Sequence, residues 1–410
     1  MTYYDIAVSI VKKLQDQGFV AYFTGGWVRD YLMNHPSDDI DIATSANVEE
    51  ILPLFEKTIP LGVQFGIVVA VIDEFQFEIA TFRQEEDYKD GRRPSKISPA
   101  SAFEDAQRRD FTINGLFYDP LKNEIIDYVE GQKDLKNRIL RAIGNPHERF
   151  LEDRLRMIRA ARYACRFHFE IEKETKEAIG LHAKDLFPSV AIERVWQEFT
   201  KANKNGNMRV FFILLFDLGL LKVIFNDLPS YTFQELKERL TPLDSFPTNA
   251  PLIAKISLLF PDYDLENKLK LCDQFKISNE EKSYIQYEES LKAQIFNENP
   301  SLVQLIFLYA HPSFDVAFQI LISPLEKKGK EELHHHHEKK RTKYSKQIER
   351  IEKKKPLITS EILMENGVKP GRVMGNLLKE GQRISIEEHL DDVYSVMTLL
   401  KLSPNWPSNL

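Results

Sequence analysis

The sequence predicts an α+β fold, with a head that mixes strands and helices over residues 1–145 and an all-helical remainder. Three observations carry this. Short β-rich runs bounded by glycine, proline and aspartate recur before residue 145. From Asn145 to about residue 325, apolar residues fall at three- and four-residue spacing almost without relief. A charged tract, 326–355, with twelve Lys/Arg against six Asp/Glu, then separates off a short helical tail.

Taken in order, Phe19–Phe23 reads as a strand running into Gly25-Gly26, and Trp27–Met33 as a short helix. Asp39–Thr44 alternates polar and apolar residues as a half-buried strand does. Val48–Lys57 has helical spacing, while Gly66–Ile72 and Gln76–Arg83 read as a hairpin around Asp73-Glu74. The polar stretch Gln84–Ala100, with Gly91, Pro94 and Pro99, reads as a mobile loop. Asn145-Pro146 is a helix start with proline in the first turn. Phe211, Phe212 and Phe216 read as core packing. The expected domains are a head (1–145), a helical neck (146–205), a helical body (206–325) and a charged tract with a helical tail (326–410).

A chain of 410 residues, 43% hydrophobic and 29% charged, has the composition of a soluble globular protein of roughly two to four packed units. Its apolar runs, such as Val63–Ile72 and Phe211–Leu221, are too short or interrupted to span a bilayer, and the first residues lack a secretory pattern. Two cysteines, Cys165 and Cys272, form neither a disulfide framework nor a metal-ligand spacing, which fits a reducing cytoplasm. A net charge of −7 argues against indiscriminate nucleic-acid binding and leaves room for a local basic groove.

The strongest chemical signal is Gly25-Gly26-Trp27-Val28-Arg29-Asp30 followed by Asp39-Ile40-Asp41. Residues two apart on a strand share a side, so Asp39 and Asp41 present two hard oxygen ligands together, suited to Mg²⁺. A pair of such ions suits phosphoryl chemistry. Glycines before a helix let backbone N–H groups approach a triphosphate, and Arg29 adds charge-assisted bonds. Glu78, inside the apolar run Phe77–Arg83, is open to two readings: a third carboxylate beside the pair, or a solvent-facing strand residue.

A second signal, Arg108-Arg109-Asp110-Phe111-Thr112-Ile113-Asn114, joins two arginines to an acid and an amide. Such a set binds phosphate through the arginine fork and sugar hydroxyls through Asp110 and Asn114. A third, Glu152-Asp153-Arg154-Leu155-Arg156 extended by Arg159 and Arg162, places charges along one helix face. The pair Asp153 and Arg156 is open to two readings: an exposed i,i+3 salt bridge, or a cleft wall in which Asp153 accepts the exocyclic amine of C or A and Arg156 faces their ring acceptors, so that G and U are disfavoured.

These three motifs, in this order and spacing, resemble the class II tRNA nucleotidyltransferase and bacterial poly(A) polymerase family, closely over residues 20–200 and loosely in the tail. The resemblance implies a nucleotidyltransferase head of the DNA polymerase beta type with a mixed sheet, followed by all-α neck, body and tail. It also implies that Asp39 and Asp41 carry two Mg²⁺ ions, that Gly25, Gly26 and Arg29 meet the triphosphate, and that Arg109, Asp110 and Asn114 hold sugar and phosphate. Asp153 and Arg156 would read the base, with Arg159 and Arg162 supporting the pocket. Ile192–Glu198 resembles the family's fifth motif, a helix that steadies the neck. The stretch Gln84–Ala100, with Tyr88, Asp90, Gly91, Arg92 and Arg93, lies where the family carries a loop needed to pass from adding C to adding A. Gly115 stands where alanine is common in the family.

The implied activity is template-independent addition of C, C and A to the tRNA 3′ end from CTP and ATP, with no membrane and no protein partner involved. Poly(A) polymerase, CC-only or A-only addition, and an inactive RNA-binding protein are the alternatives. In the tail, Lys369 and Gly371 lead into a helix whose N-terminus suits an RNA phosphate, or the two helices there simply pack. The run His334–His337 points in different directions on a helix and makes a poor metal site.

Overall fold

The computed structural model describes residues 1–35, 39–59, 66–88 and 94–407. The chain divides into two compact units, Met1–Phe233 and Gln234–Leu410. Among the described residues, no single helix is long and apolar enough to cross a membrane.

The first unit opens on a helix that the sequence reading passed over, Tyr3–Asp16. Thr2 and Asp5 close a reciprocal capping box at its start, satisfying two otherwise orphan N–H groups. Its apolar stripe, Ile6, Ala7, Ile10, Val11 and Leu14, is buried against the sheet. That sheet contains β1 (Ala21–Thr24), β2 (Asp41–Thr44), β3 (Thr58–Ile59), β4 (Ile67–Ile72), β5 (Phe75–Thr81), β8 (Leu116–Asp119) and β9 (Glu124–Asp127), in the order β3-β4-β5-β2-β1-β8-β9. β2 and β5 run parallel and the other neighbours antiparallel, so the sheet is mixed as expected. Phe23, Val28, Ile42, Val68, Phe77 and Ile79 fill one face. Ala43, Phe82 and Phe117 meet the helix Ala102–Gln107 on the other.

Three sequence expectations need correction. Val48–Lys57 gives only the short helix Val48–Ile51 and a 3₁₀ turn Leu52–Leu54, because Pro53 has no N–H with which to continue an α-helix. Gln84–Ala100 is not an irregular loop over its described length. β6 (Arg83–Tyr88) and β7 (Pro94–Pro99) pair antiparallel, with both prolines at the ends of β7, where a missing N–H interrupts little. The expected Asp90, Gly91, Arg92 and Arg93 lie outside the described residues. The third correction concerns Asp153 and is taken up with the site.

Helices follow from Pro146, whose helix Pro146–Glu152 is capped by the Asn145 side chain. Next come Leu155–Phe167, Lys173–His182, Ile192–Asn205 and Met208–Asp217. Phe211 and Phe212 are fully buried, as core residues should be, whereas Phe216 is half-buried. A small parallel pairing of Ile139–Leu140 with Glu170–Ile171 ties the end of the head to the first neck helices.

In the second unit, Asn279–Ile295 and Lys327–Lys343 are the longest helices. Of the four-histidine run only His337 is buried, its Nδ1 2.6 Å from the Tyr309 hydroxyl. It is a core residue, and its three neighbours face solvent. The tail core is Ile358, Leu363, Val368, Leu377, Val396 and Leu400. Lys369 is exposed, and Gly371 stands directly before the helix Arg372–Glu387.

Glu288, on the helix Asn279–Ile295, is buried with its Oε2 unbonded. Burial lifts its carboxyl from 4.5 to about 7, with Lys268 opposing and Glu289 adding to the rise. The folded chain therefore holds a proton that the unfolded chain releases, and stability falls as pH rises from about 4.5 to 7. Glu288→Gln should raise Tm by about 2–4 °C per kcal/mol relieved at roughly pH 8.5 and leave it little changed near pH 5. Melting curves at both pH values check this. A Tm gain independent of pH would contradict it.

Candidate active site

The site grows from the register of three strands. Thr24 of β1 pairs with Asp41 of β2, and Ile42 pairs with Ile79 of parallel β5. Asp41 thus stands beside the Gly25-Gly26 turn on one side and near Glu78 on the other. Gly25 has φ 71° and ψ −136°, a conformation rare for L side chains, and a Cβ there would lie 3.3 Å from Asp41 Oδ2. Gly25→Ala should therefore move the carboxylate as well as strain the turn by about 1–3 kcal/mol. Transfer should fall more than tenfold, roughly the effect of 1.4 kcal/mol on a rate, with Tm lowered only a few degrees. Rate and melting measurements on the same preparation separate the two effects.

Around this turn lies a cleft of about 490 Å³, a size that suits a small-molecule ligand. It gathers most of the expected residues: Gly25, Gly26, Asp41, Glu78, Arg109, Asp110, Asn114, Asp153, Arg156 and Arg159. Arg108 and Tyr163 join them. Asp39 is exposed just before β2 rather than within it, yet it acts on Asp41 electrostatically. Burial pushes the Asp41 carboxyl from 3.8 to about 6, with Asp39 and then Glu78 adding to the rise and Arg109 opposing it.

That frustration is the observation that tests for a cation. The Asp41 carboxylate, repelled by Asp39 and Glu78 at the edge of this cleft, is a hard-oxygen donor whose charge a divalent cation would relieve. Among the described residues no group of three or more His, Cys, Asp or Glu side chains is placed to hold a metal ion. An ion that keeps positions for water and substrate phosphates needs none. The set fits.

Two expected residues sit beneath the cleft rather than in its lining. Arg29 is 3% exposed; its guanidinium bonds Asp30 at 2.8 Å and Asn114 Oδ1 at 2.6 Å, and lies 4.5 Å from the Phe167 ring centroid. Arg162 is held by Glu198 at 2.5 Å and lies 4.0 Å from the Tyr163 ring centroid. Asp110 and Asn114, read from sequence as sugar ligands, are already engaged. Asp110 accepts Arg159 through Nε and Nη2 at 2.9 and 2.7 Å, and Asn114 Nδ2 at 3.0 Å. Burial opposes ionisation there, but Arg159 and Asn114 hold the Asp110 carboxyl down at about 2. The result is a prearranged network running from Arg29 through Asn114 and Asp110 to Arg159.

The Asp153–Arg156 pair is a correction. Asp153 is not on the same helix as Arg156. It has extended backbone between the two helices, where Oδ1 accepts the Leu155 N–H at 3.1 Å. The partner of Asp153 is Arg194, whose two terminal nitrogens grip both carboxylate oxygens at 3.1 and 2.7 Å. Arg156 instead bonds Glu152 at 2.5 Å and the carbonyls of Arg149 and Arg108. Both side chains nevertheless line the cleft. The helix break that separates them arises because Asp153 caps the following turn through its side chain, a competing local bond that helical spacing does not reveal.

Sequence reasoning passed over Asp105 and Tyr163, and gave Glu152, the first residue of the third motif, no role of its own. Helical spacing signals each: Asp105 lies three and four residues before Arg108 and Arg109, Glu152 four before Arg156, and Tyr163 four after Arg159. Gly115, noted as a departure from alanine, lacks room for one: a Cβ would lie 2.7 Å from a Val129 methyl and 3.0 Å from Ile143.

Residues 21–141 match the model of a poly(A) polymerase head domain, and 168–232 match a probable RNA- and SrmB-binding site of polymerase A. A CCA-adding enzyme of Ligilactobacillus salivarius is 36% identical over 91% of this chain and 90% of its own. One from Staphylococcus epidermidis is 35% identical over 75% and 74%. The match to that of Enterococcus faecalis, 44% identical, spans about half of either chain, 50% and 51%. In fold, the chain resembles the crystal structure of the Bacillus stearothermophilus CCA-adding enzyme in complex with CTP, with TM-score 0.76 and 23% identity over 98% of both chains. The Thermotoga maritima CCA-adding enzyme complexed with tRNA gives 0.68 and 19% identity over 97% and 94%. Head, cleft and comparisons together define a nucleotidyltransferase of the poly(A) polymerase type, a class that is generally metal-dependent. Within that class, the chain belongs to the CCA-adding enzyme family.

Proposed function

We propose that this chain rebuilds the tRNA 3′ end, adding C, C and A from CTP and ATP without a template and releasing pyrophosphate. The observation that carries this reading is the joining, in one cleft, of the frustrated Asp41 carboxylate with Asp153 and Arg156. One group of residues serves phosphoryl chemistry and the other reads a base. The relatives named CCA-adding enzymes, one of them alignable over nine-tenths of the chain, support the same choice.

Asp39 and Asp41 would hold Mg²⁺, with Glu78 as a neighbouring third carboxylate. Such ions would supply Lewis-acid chemistry at the attacking 3′-hydroxyl and charge neutralisation at the pyrophosphate. The chain's own residues do the rest. Gly25 and Gly26 let the backbone come close to the triphosphate, and Arg108 and Arg109 neutralise its charge. Asp153 accepts the exocyclic amine common to C and A, while Arg156 donates to their ring acceptors. The network through Asp110 and Arg159 holds this wall still, so little reorganisation accompanies reaction. Lys369 and the helix entered at Gly371 would take an RNA phosphate. The two buried free thiols, Cys165 and Cys272, suit a reducing cytoplasm.

The test is single-turnover extension of tRNA transcripts ending at the discriminator base, at C or at CC, with CTP, ATP or both. Stopping after C, C and A establishes the reading. A stall at CC or extension only from CC indicates a divided pathway, and unbounded A tails on any RNA replace it with poly(A) polymerase.

A further inference from the structure

Resting on the nucleotide cleft proposed above, we infer that Asp105 is a positioning residue that fastens the two cleft arginines to the root of the β6–β7 hairpin. Its carboxylate is 1% exposed and collects five donors. Oδ1 accepts Arg108 Nε and Nη2 at 2.9 and 2.6 Å, and Oδ2 accepts Arg109 Nε and Nη2 at 3.1 and 2.8 Å. The fifth donor is the backbone N–H of Arg83, 3.3 Å from Oδ1.

Arg83 is the first residue of β6, facing Pro99 at the end of β7. Just outside that pair, the Ala100 N–H donates to Phe82 O at 3.0 Å, and the Phe82 N–H donates to Thr44 O at 2.7 Å. The hairpin root is therefore fixed to β2, the strand that carries Asp41, and to Asp105 by separate bonds. On the far side, Arg109 keeps Nη1 for the Asn114 carbonyl at 3.2 Å and lies 4.9 Å from the Phe117 ring centroid. Both arginines line the cleft.

The charge count favours this role over simple neutralisation. One carboxylate faces two guanidiniums, so the cluster stays net positive and attractive to phosphate. Burial acts to raise the Asp105 pKa, but the arginines hold it below the usual carboxylate range. Paired charge-assisted bonds fix the plane of each guanidinium, which a single bond does not. A shift of the hairpin root acts on the oxygen that orients Arg108 and, through the rigid carboxylate, on Arg109.

The test uses the full chain, two disrupting variants and one rescue variant. Asp105→Asn removes the charge and half of the fork geometry. Arg83→Pro removes the N–H that the hairpin root gives Asp105, together with the Arg83 side chain, at the first strand residue where proline is tolerated. CTP and ATP binding are measured without RNA, together with amide hydrogen exchange of residues 84–88 and 95–98 with and without CTP. Asp105→Asn should weaken both nucleotides about tenfold, as expected for losing bonds to a charged partner. It should also abolish the response of hairpin exchange to CTP. Arg83→Pro should retain affinity within about threefold and lose the same response. Asp105→Glu should restore part of the affinity. Unchanged binding in Asp105→Asn, or a hairpin that still responds to CTP in both variants, would overturn the assignment. Because RNA is absent, a wild-type chain that binds CTP and ATP but makes no CCA end would defeat the functional reading and not this one.

Discussion

Asp41→Asn is expected to lower single-turnover transfer by on the order of 10³-fold or more, while CTP and ATP binding changes far less. The reason is local. Asp41 faces the glycine turn on one side and Glu78 on the other, inside a cleft whose phosphate-facing charges come from arginines that the substitution leaves in place. The pH dependence follows with a defined sign. Without metal the Asp41 carboxyl lies near 6, and a bound cation favours its ionised form, so wild-type transfer should fall with decreasing pH at a point below 6 that moves lower as Mg²⁺ is raised. Stability runs the other way. A raised carboxylate pKa means that the folded chain retains a proton which the unfolded chain loses, so stability falls as pH rises from 3.8 to about 6. Asp41→Asn should therefore melt no lower than wild type above pH 6 without metal, and Mg²⁺ should raise the Tm of wild type more than that of the variant. Turnover near the wild-type level, or a Mg²⁺ stabilisation equal in both proteins, would remove Asp41 from the metal site.

The second large effect concerns selectivity. Asp153→Ala should reduce discrimination of C and A against U and G by about 1–3 kcal/mol, roughly 5- to 150-fold, with a smaller loss of rate for the correct nucleotide. The structure adds a partner to this expectation. Arg194 holds both oxygens of Asp153, so Arg194→Ala should also blur selection, because the carboxylate then loses its fixed plane. Glu152→Gln should act through Arg156 instead, leaving Asp153 in place. Misincorporation of UTP and GTP opposite matched CTP and ATP rates, on one tRNA transcript, measures all three. Unchanged selectivity in Asp153→Ala would sink the base-reading assignment. Unchanged selectivity in Arg194→Ala would leave Arg194 a purely structural tie.

Much of the head was readable from its letters. The hairpin around Asp73-Glu74, the strand into Gly25-Gly26 and the helix after it all appear, because period-two alternation and glycine punctuation are local properties. The helix Tyr3–Asp16 was equally legible through its Thr2–Asp5 capping box and was passed over. The hairpin of β6 and β7 was hidden by prolines that mark loops in sequence and here stand at a strand's ends.

The sequence by itself determined the α+β class, the helical remainder and the list of chemical groups, since those depend on periodicity and residue type. Which group holds which was decided only by the tertiary structure. Arg29 and Arg162 lie under the cleft, Asp110 is committed to Arg159, and Asp153 is gripped by Arg194, forty-one positions away. A guanidinium has five donors and many acids within reach of its flexible stem. Its partner is chosen by which helices and strands pack together and by how deeply each carboxylate is buried, not by spacing along the chain.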